Sequence, residues 1–137
     1  MKMAFKITKP GRIALLVTML SFIALTQSIG SARISGIDLD IQNIKYEHDA
    51  DQMVHFSIFV KNKGTESTES VSFGFDFGTG MGMGFAGPIV IKPGETKVFS
   101  LGSSYSESGK FVVTANVYTD GDVNLKNNLE TAIVNIK

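Results

Sequence analysis

The chain has 137 residues, with no cysteine, no tryptophan, 14 glycines and only 19% charged residues. The absence of cysteine excludes a disulfide scaffold, a cysteine-ligated metal ribbon and thiol chemistry. The formal net charge is zero, but four of the 13 basic residues lie within the first 12 positions, which contain no acidic residue. The other 9 basic and 13 acidic residues give the rest of the chain a charge of −4, so we expect no binding to nucleic acid.

The first part of the chain has the composition of a signal peptide. A basic stretch covers residues 1–12, and an apolar run of 13 residues covers 13–25. That run is shorter than the roughly 20 residues that a helix needs to cross a bilayer. The small residues Gly30 and Ala32 then provide a cleavage site.

These features predict a cleaved signal peptide at 1–32 and one domain at 33–137. We expect the protein to be exported to a periplasm, to the cell surface or to the medium. The alternative is a leader that stays uncleaved and anchors the protein, which would be its only contact with a membrane.

The apolar residues of the predicted domain recur at every second position, which is the period of β-strands with one face on a core. No segment has the period of a helix. The phase slips between Ile41 and Ile44, which predicts a β-bulge in the first strand. The best-defined core face carries Val71, Phe73, Phe75 and Phe77. An antiparallel sandwich is predicted from seven strands, at 37–46, 54–61, 71–77, 88–91, 97–101, 110–119 and 129–136.

Residues 78–87 combine five glycines with the large apolar side chains of Met81, Met83 and Phe85. So much glycine disfavours a strand, whereas a solvated loop is rarely so apolar. The pattern predicts a flexible loop that either folds back over an open end of the sandwich or contacts a partner. Met81, Met83 and Phe85 are therefore the predicted binding residues, since methionine adapts well to contact surfaces.

Turn-forming residues follow or precede three of the strands, namely Asn62 and Gly64, Pro93 and Gly94, and Asn127 and Asn128. We expect Asn62 and Gly64 to adopt a positive φ at little cost, and the proline and glycine to form a type II turn. The paired asparagines are expected to bond the backbone of their own loop. All six are interpreted as scaffold residues.

Four segments occur in an order and spacing that resemble one family: Val60-Lys61-Asn62-Lys63-Gly64, Ile91-Lys92-Pro93-Gly94-Glu95-Thr96, Gly109-Lys110-Phe111-Val112-Val113 and Asn127-Asn128. The family is the CARDB domain, the cell adhesion related domain found in bacteria, and the resemblance spans about residues 37–136. It implies an immunoglobulin-like sandwich in a secreted or surface protein, with binding or adhesion as its function. Family members commonly carry an acidic stretch before the paired asparagines, which is shorter here and interrupted by Lys126.

No set of residues has the pattern of a catalytic site. His48 and His55 are the only histidines, and no Gly-x-Ser-x-Gly motif is present. His48, Asp49 and Asp51 lack the spacing of recognisable zinc sites and are interpreted as a solvated turn. We predict no enzyme activity and no cofactor.

The segment before the last strand partly matches a calcium loop. Asp120, Asp122 and Asn124 occupy the first three ligand positions of such a loop. Leu125 replaces its glycine and Thr131 replaces its bidentate glutamate. The sequence therefore predicts a hairpin turn without metal, and low-affinity calcium binding by Asp120, Asp122 and Asn124 is the alternative.

Together these observations predict an exported, non-enzymatic module for binding or adhesion. Its partner would be a surface protein, a glycan or a second copy of the chain. The alternative is a structural subunit of an extracellular filament, in which the apolar segment 34–46 is donated to an open sheet edge of a neighbour.

Overall fold

In the part of the chain that this computed structural model describes, regular secondary structure consists of seven strands and one short 3₁₀ helix. The structure describes residues 35–51 and 53–137, so the predicted signal peptide at 1–32 lies outside the described residues. No helix in the described part is long and apolar enough to cross a membrane. The strands are β1 Leu39–His48, β2 Val54–Asn62, β3 Val71–Asp76, β4 Gly82–Gly87, β5 Thr96–Ser103, β6 Gly109–Tyr118 and β7 Leu129–Ile136, and the 3₁₀ helix is Leu125–Asn127.

The strands form two antiparallel sheets. One sheet has the spatial order β1-β2-β5, and the other has the order β4-β3-β6-β7. The predicted seven-stranded, all-β, immunoglobulin-like sandwich is therefore confirmed. Constant-type immunoglobulin domains place the fourth strand in the sheet of the first two, whereas here β4 pairs with β3. The predicted bulge is also confirmed, because the pairing of β1 with β2 shifts register between Ile41 and Asn43.

An aromatic cluster fills the space between the sheets. The ring centroid of Phe56 in β2 lies 4.9 Å from that of Phe75 in β3. Phe73 of β3 stacks on Phe99 of β5 at 4.7 Å. The predicted core face is confirmed, since its four residues are all buried: Val71, Phe73, Phe75 and Phe77.

The fourth strand is not where the sequence predicted it. Residues 82–87 form β4 instead of a flexible loop, and 88–91 form no strand. Gly82 and Gly84 permit this pairing, because a Cβ at either position would lie about 3 Å from a carbonyl oxygen of β3. These glycines therefore allow the backbone of β4 to approach β3 closely, whereas the sequence pattern had been interpreted as a sign of flexibility.

The segment 88–91 is held by side chains. Thr68 Oγ1 donates to the carbonyl of Ile89 at 2.8 Å and accepts from the amide of Ile91 at 2.8 Å. Asn62 Nδ2 donates to the carbonyl of Ile91 at 2.9 Å. These bonds satisfy the backbone groups that a strand partner would otherwise bind, while the Ile91 side chain is fully buried.

Candidate functional site

The three predicted binding residues lie on or beside β4, the edge strand of the four-stranded sheet. Met83 and Phe85 are paired with Phe75 and Phe73 of β3, so their side chains lie on the core-facing side. Met81 precedes the strand, and its carbonyl accepts a hydrogen bond from the amide of Phe77 at 3.1 Å. The structure therefore brings these residues to one border of the sandwich, which we call the β4 edge (Met81 and Gly82–Gly87).

The three side chains differ in how far they are covered. Met81 is 66% exposed and Met83 is 50% exposed, whereas Phe85 is 41% exposed. The Phe85 ring lies 5.5 Å from Phe73 and 5.4 Å from Phe99 of the opposite sheet. Phe85 thus belongs partly to the core, and the two methionines form the solvent-facing part of the β4 edge.

A second exposed apolar surface lies on the outer face of β6 and β7. Val112 and Ile133 are cross-strand partners and are 59% and 66% exposed. Leu129 and Tyr118 are exposed in the same two strands. This surface was not predicted from the sequence, although the alternation of β6 already placed Val112 opposite the core.

A depression lies on the outer face of the same sheet, next to the β4 edge. It is lined by Gly74, Gly82 and Gly84, with the side chains of Thr114 and Asn116 at its border. Asn116 is the cross-strand partner of Gly74, and a Cβ at position 74 would displace the Asn116 side chain. The depression continues the β4 edge onto the outer surface of the sheet.

Tyr118 and Asp120 form a polar pair at the end of β6. The Tyr118 hydroxyl donates to Asp120 Oδ1 at 2.9 Å. This hydrogen bond to a carboxylate favours the neutral phenol and raises the pKa of Tyr118. Asp120 thus bonds a residue of β6, and none of its hydrogen bonds with described side chains involves Asp122 or Asn124, the other two residues of the predicted calcium loop.

Asp122 lies with its carboxylate turned inward. Oδ2 accepts from the amide of Leu39 at 3.2 Å and from Asn128 Nδ2 at 3.0 Å. Oδ1 accepts from the amide of Asn124 at 2.9 Å. Asp120, Asp122 and Asn124 therefore do not converge as the ligands of a calcium loop, because Asp122 links the loop to the start of β1.

Asn62 is a fully buried scaffold residue with a satisfied side chain. Its Oδ1 accepts from the amides of Asp38 and Gly64 at 3.4 and 3.0 Å. Its Nδ2 donates to the carbonyls of Glu66 and Ile91 at 2.7 and 2.9 Å. This single side chain connects the residue before β1, the turn after β2 and the segment before β5.

The prediction of a positive φ is wrong for Gly64, whose backbone is not in the left-handed region. Glycine is required there because a Cβ would collide with the carbonyl oxygen of Gly36. The predicted turn at Pro93 and Gly94 is confirmed, with φ of 79° at Gly94 and a hydrogen bond from the amide of Glu95 to the carbonyl of Lys92.

The paired asparagines bond carboxylates, and the expected bonds from their side chains to the loop backbone are not formed. Asn127 Nδ2 donates to Asp38 Oδ1 at 2.8 Å, and Asn128 Nδ2 donates to Asp122 Oδ2 at 3.0 Å. The main chain of Asn128 accepts from the amide of Val117 at 2.9 Å. Asn127 thus ties the end of the β6–β7 connection to Asp38, which directly precedes β1, whereas Asn128 bonds Asp122 within the same connection.

The predicted solvated turn after β1 is organised by three contacts of the Asp49 carboxylate. His55 Nε2 lies 2.8 Å from Asp49 Oδ2, and the amides of Asp51 and Met53 both donate to Asp49 Oδ1 at 2.9 Å. His48 is not part of these contacts. Among the described residues, no three His, Cys, Asp or Glu side chains converge in a way that would hold a metal ion.

Low pH should weaken the hydrogen bond between Asp49 and His55. Its pKa lies below the ordinary value, chiefly because of the hydrogen bond with His55 and also because of the two backbone amides. A carboxyl whose pKa is lowered by folding adds stability above its unfolded pKa, near 3.9, and loses that contribution as the pH falls through its folded pKa. We expect Asp49→Asn to melt below the wild type at pH 5 and at the same temperature near pH 2.

Differential scanning calorimetry across that pH range measures the effect. Asp51→Asn is the matched control, because the structure gives the Asp51 side chain no hydrogen bond with a described residue. A difference between Asp49→Asn and wild type that persists unchanged at pH 2 would show that charge on Asp49 plays no part.

The fold resembles known CARDB structures. No family model matches the chain, and no curated protein matches it. The crystal structure of the CARDB domain of the PF1109 protein from Pyrococcus furiosus, in complex with di-metal ions, aligns with a TM-score of 0.63 and 19% identity over 74% of this chain and 90% of that chain. A solution NMR structure of the same domain aligns with a TM-score of 0.60 and 21% identity, over 74% of this chain and 96% of that one.

A further structure is less similar. The PKD domain of an M14-like peptidase from a Thermoplasmatales archaeon aligns with a TM-score of 0.46 and 17% identity, over 74% of this chain and 95% of that chain. The first two structures confirm the resemblance predicted from the turn segments. At these identities the likeness concerns the fold, an immunoglobulin-like sandwich of the CARDB type.

Proposed function

We propose that this protein is an exported, non-enzymatic binding or adhesion module that works through contacts with a surface protein, a glycan or a second copy of itself. The observation that carries the proposal is the unprotected β4 edge. Natural edge strands are commonly blocked by charged residues, prolines or covering segments. β4 has the sequence GMGFAG, without a charge or a proline, and no described strand pairs with it on the side away from β3.

The composition of the β4 edge suits contact with another molecule. Met81 and Met83 offer flexible apolar side chains that adapt to different partners. The free backbone groups of β4 offer hydrogen bonds to an added strand or to hydroxyl groups. The glycine depression beside it allows close approach of a flat ligand to the sheet surface.

The alternative of a filament built by donation of residues 34–46 has less support. Most of that segment lies in β1, which pairs with β2 along its length. Leu39, Ile41 and Ile44 are buried there. Donation would withdraw these side chains from the protein's own core, whereas self-association through the β4 edge leaves the fold intact.

Met83→Lys should weaken binding at least tenfold and leave the fold unchanged. Half of this side chain is exposed, so the substitution is expected to change the free energy of unfolding by about 0.5 kcal/mol or less. A lysine on an edge strand opposes strand addition and apolar contact. We expect at least a tenfold loss of self-association, measured by sedimentation equilibrium, or of binding to a glycan array and to purified envelope proteins.

Ile133→Lys is the comparison variant, because Ile133 is 66% exposed in β7, the other edge strand of the same sheet. If only Ile133→Lys loses binding, the binding site lies on the outer face of β6 and β7 and not at the β4 edge. A wild-type protein that stays monomeric and binds no glycan and no envelope protein would disprove the proposed function itself.

A further inference from the structure

One end of the sandwich contains buried oxygen atoms without hydrogen-bond partners. They are Asp38 Oδ2, Asn127 Oδ1 and Asn128 Oδ1. Asp38 is only 1% exposed and Asn128 only 6% exposed. Buried polar atoms in folded proteins almost always have a partner, so three oxygens on neighbouring side chains that are free to accept form a candidate ligand-binding group.

The three side chains belong to one connected group. Asn127 Nδ2 donates to the other oxygen of Asp38 at 2.8 Å. Asn128 Nδ2 donates at 3.0 Å to Asp122, which in turn accepts from the amide of Leu39, the neighbour of Asp38. Residues 38 and 127 are 89 positions apart in the chain, so the group exists only in the folded protein.

These hydrogen bonds also set the orientation of each amide. The carboxylates of Asp38 and Asp122 each bind an Nδ2 atom, so each amide oxygen is directed elsewhere and remains free to accept. Asp122 has both oxygens occupied by described donors and therefore acts as a positioning residue for Asn128. The free atoms are one carboxylate oxygen and two amide oxygens.

The group has negative charge but no positive partner. Among the described residues, the ion pairs are Lys63 with Asp40 and His55 with Asp49, and neither includes Asp38 or Asp122. A buried carboxylate without a counterion is strongly unfavourable. A bound cation would supply that charge.

The free atoms are all hydrogen-bond acceptors, and this limits which ligands the group could bind. One water molecule can donate to two acceptors at most and brings no charge. A metal cation binds several oxygens at once. Carboxylate and amide oxygens are hard ligands, and calcium accepts them in variable geometry with water completing its coordination, whereas magnesium requires near-ideal octahedra.

We propose that Asp38, Asn127 and Asn128 bind a calcium ion at this end of the sandwich. This site differs from the calcium loop of Asp120, Asp122 and Asn124 and shares only the positioning residue Asp122 with it. With one charged ligand, the site should have a Kd of about 10⁻⁴ to 10⁻³ M, the range of extracellular modules. Binding would tie the start of β1 to the β6–β7 connection.

Calcium titration of the ¹⁵N-labelled wild-type protein tests the proposal without a variant. The side-chain amide resonances of Asn127 and Asn128 should shift saturably as calcium rises to about 10 mM. Thermal melts should show a rise of roughly 10 °C when calcium reaches a hundredfold excess over Kd, relative to chelator. Magnesium at the same concentration should give a smaller rise.

Two matched variants locate the ion. Asp38→Asn keeps the shape of the side chain, removes its charge, and should weaken calcium binding at least tenfold by calorimetric titration. Asp120→Asn should leave the Kd unchanged, because Asp120 bonds Tyr118 and lies outside the proposed site.

Three results would overturn the proposal. One is the absence of any calcium-dependent shift at Asn127 and Asn128 up to 10 mM, which would leave buried water as the partner of the free oxygens. Another is loss of binding in Asp120→Asn with binding retained in Asp38→Asn. The third is a set of shifts confined to residues around Asp120. If Asp38→Asn does not fold, the wild-type titration decides alone.

Discussion

Replacing Asn62 by alanine should lower the free energy of unfolding by about 3 to 5 kcal/mol. The substitution removes a side chain that makes four hydrogen bonds and is 0% exposed. Each buried group left without a partner costs about 1 to 3 kcal/mol, and partial access of water reduces the sum. The loss should also loosen the segment before β5, because Asn62 Nδ2 binds the carbonyl of Ile91.

Urea unfolding followed by far-ultraviolet circular dichroism measures this change. Asn116→Ala is the matched control, since Asn116 is an exposed asparagine on the outer face of β6. We expect that control to stay within about 0.5 kcal/mol of the wild type. A cost below about 1 kcal/mol for Asn62→Ala would show that the turn holds its conformation without the side chain.

Replacing Phe56 by alanine should cost about 3 to 5 kcal/mol, the usual range for a phenylalanine removed from a core. Phe56 is 0% exposed, and its ring centroid lies 4.9 Å from Phe75 and 5.9 Å from Phe77. Truncation leaves a cavity between the two sheets, where β2 and β3 face each other. The rings of the opposite sheet would lose contacts that no neighbour can replace.

Phe59→Ala is the matched control in the same strand. Phe59 lies on the opposite face of β2, where Lys45 Nζ lies 5.0 Å from its ring centroid. Because Phe59 is half-buried and outside the core, we expect a cost of roughly 1 kcal/mol. Equal losses for the two variants, measured by the same urea unfolding, would contradict the assignment of the core to the Phe56 face.

For the candidate binding residues, the local sequence pattern predicted their identity but not the secondary structure around them. Met81, Met83 and Phe85 were identified because large apolar side chains stood in a glycine-rich segment, and two of them are at least half exposed. Their setting was predicted wrongly, because Gly82 and Gly84 act through close contact with β3. Contact between strands is a property of two segments, and glycine content in one of them does not reveal it.

The hydrogen-bond partners of the buried polar residues could not be predicted from the local sequence. Asn127 and Asn128 were recognised as important, but their expected role in a local turn was wrong. Their partners are Asp38 and Asp122, and Asp38 lies at the other end of the domain sequence. Thr68 was not identified at all, since a threonine in a polar loop gives no sign that it will be buried and bonded to Ile89 and Ile91.

The amino-acid sequence by itself determined the fold class, the core face of β3, the bulge of β1 and the turn at Pro93. These features depend on the period-two alternation of apolar side chains and on backbone preferences, which act between residues close in the chain. Only the tertiary structure decided the place of β4, the burial of Thr68 and Asn62, and the group of oxygens around Asp38. Each of these depends on hydrogen bonds or van der Waals contacts between segments distant in sequence, and such contacts exist only after the two sheets have come together.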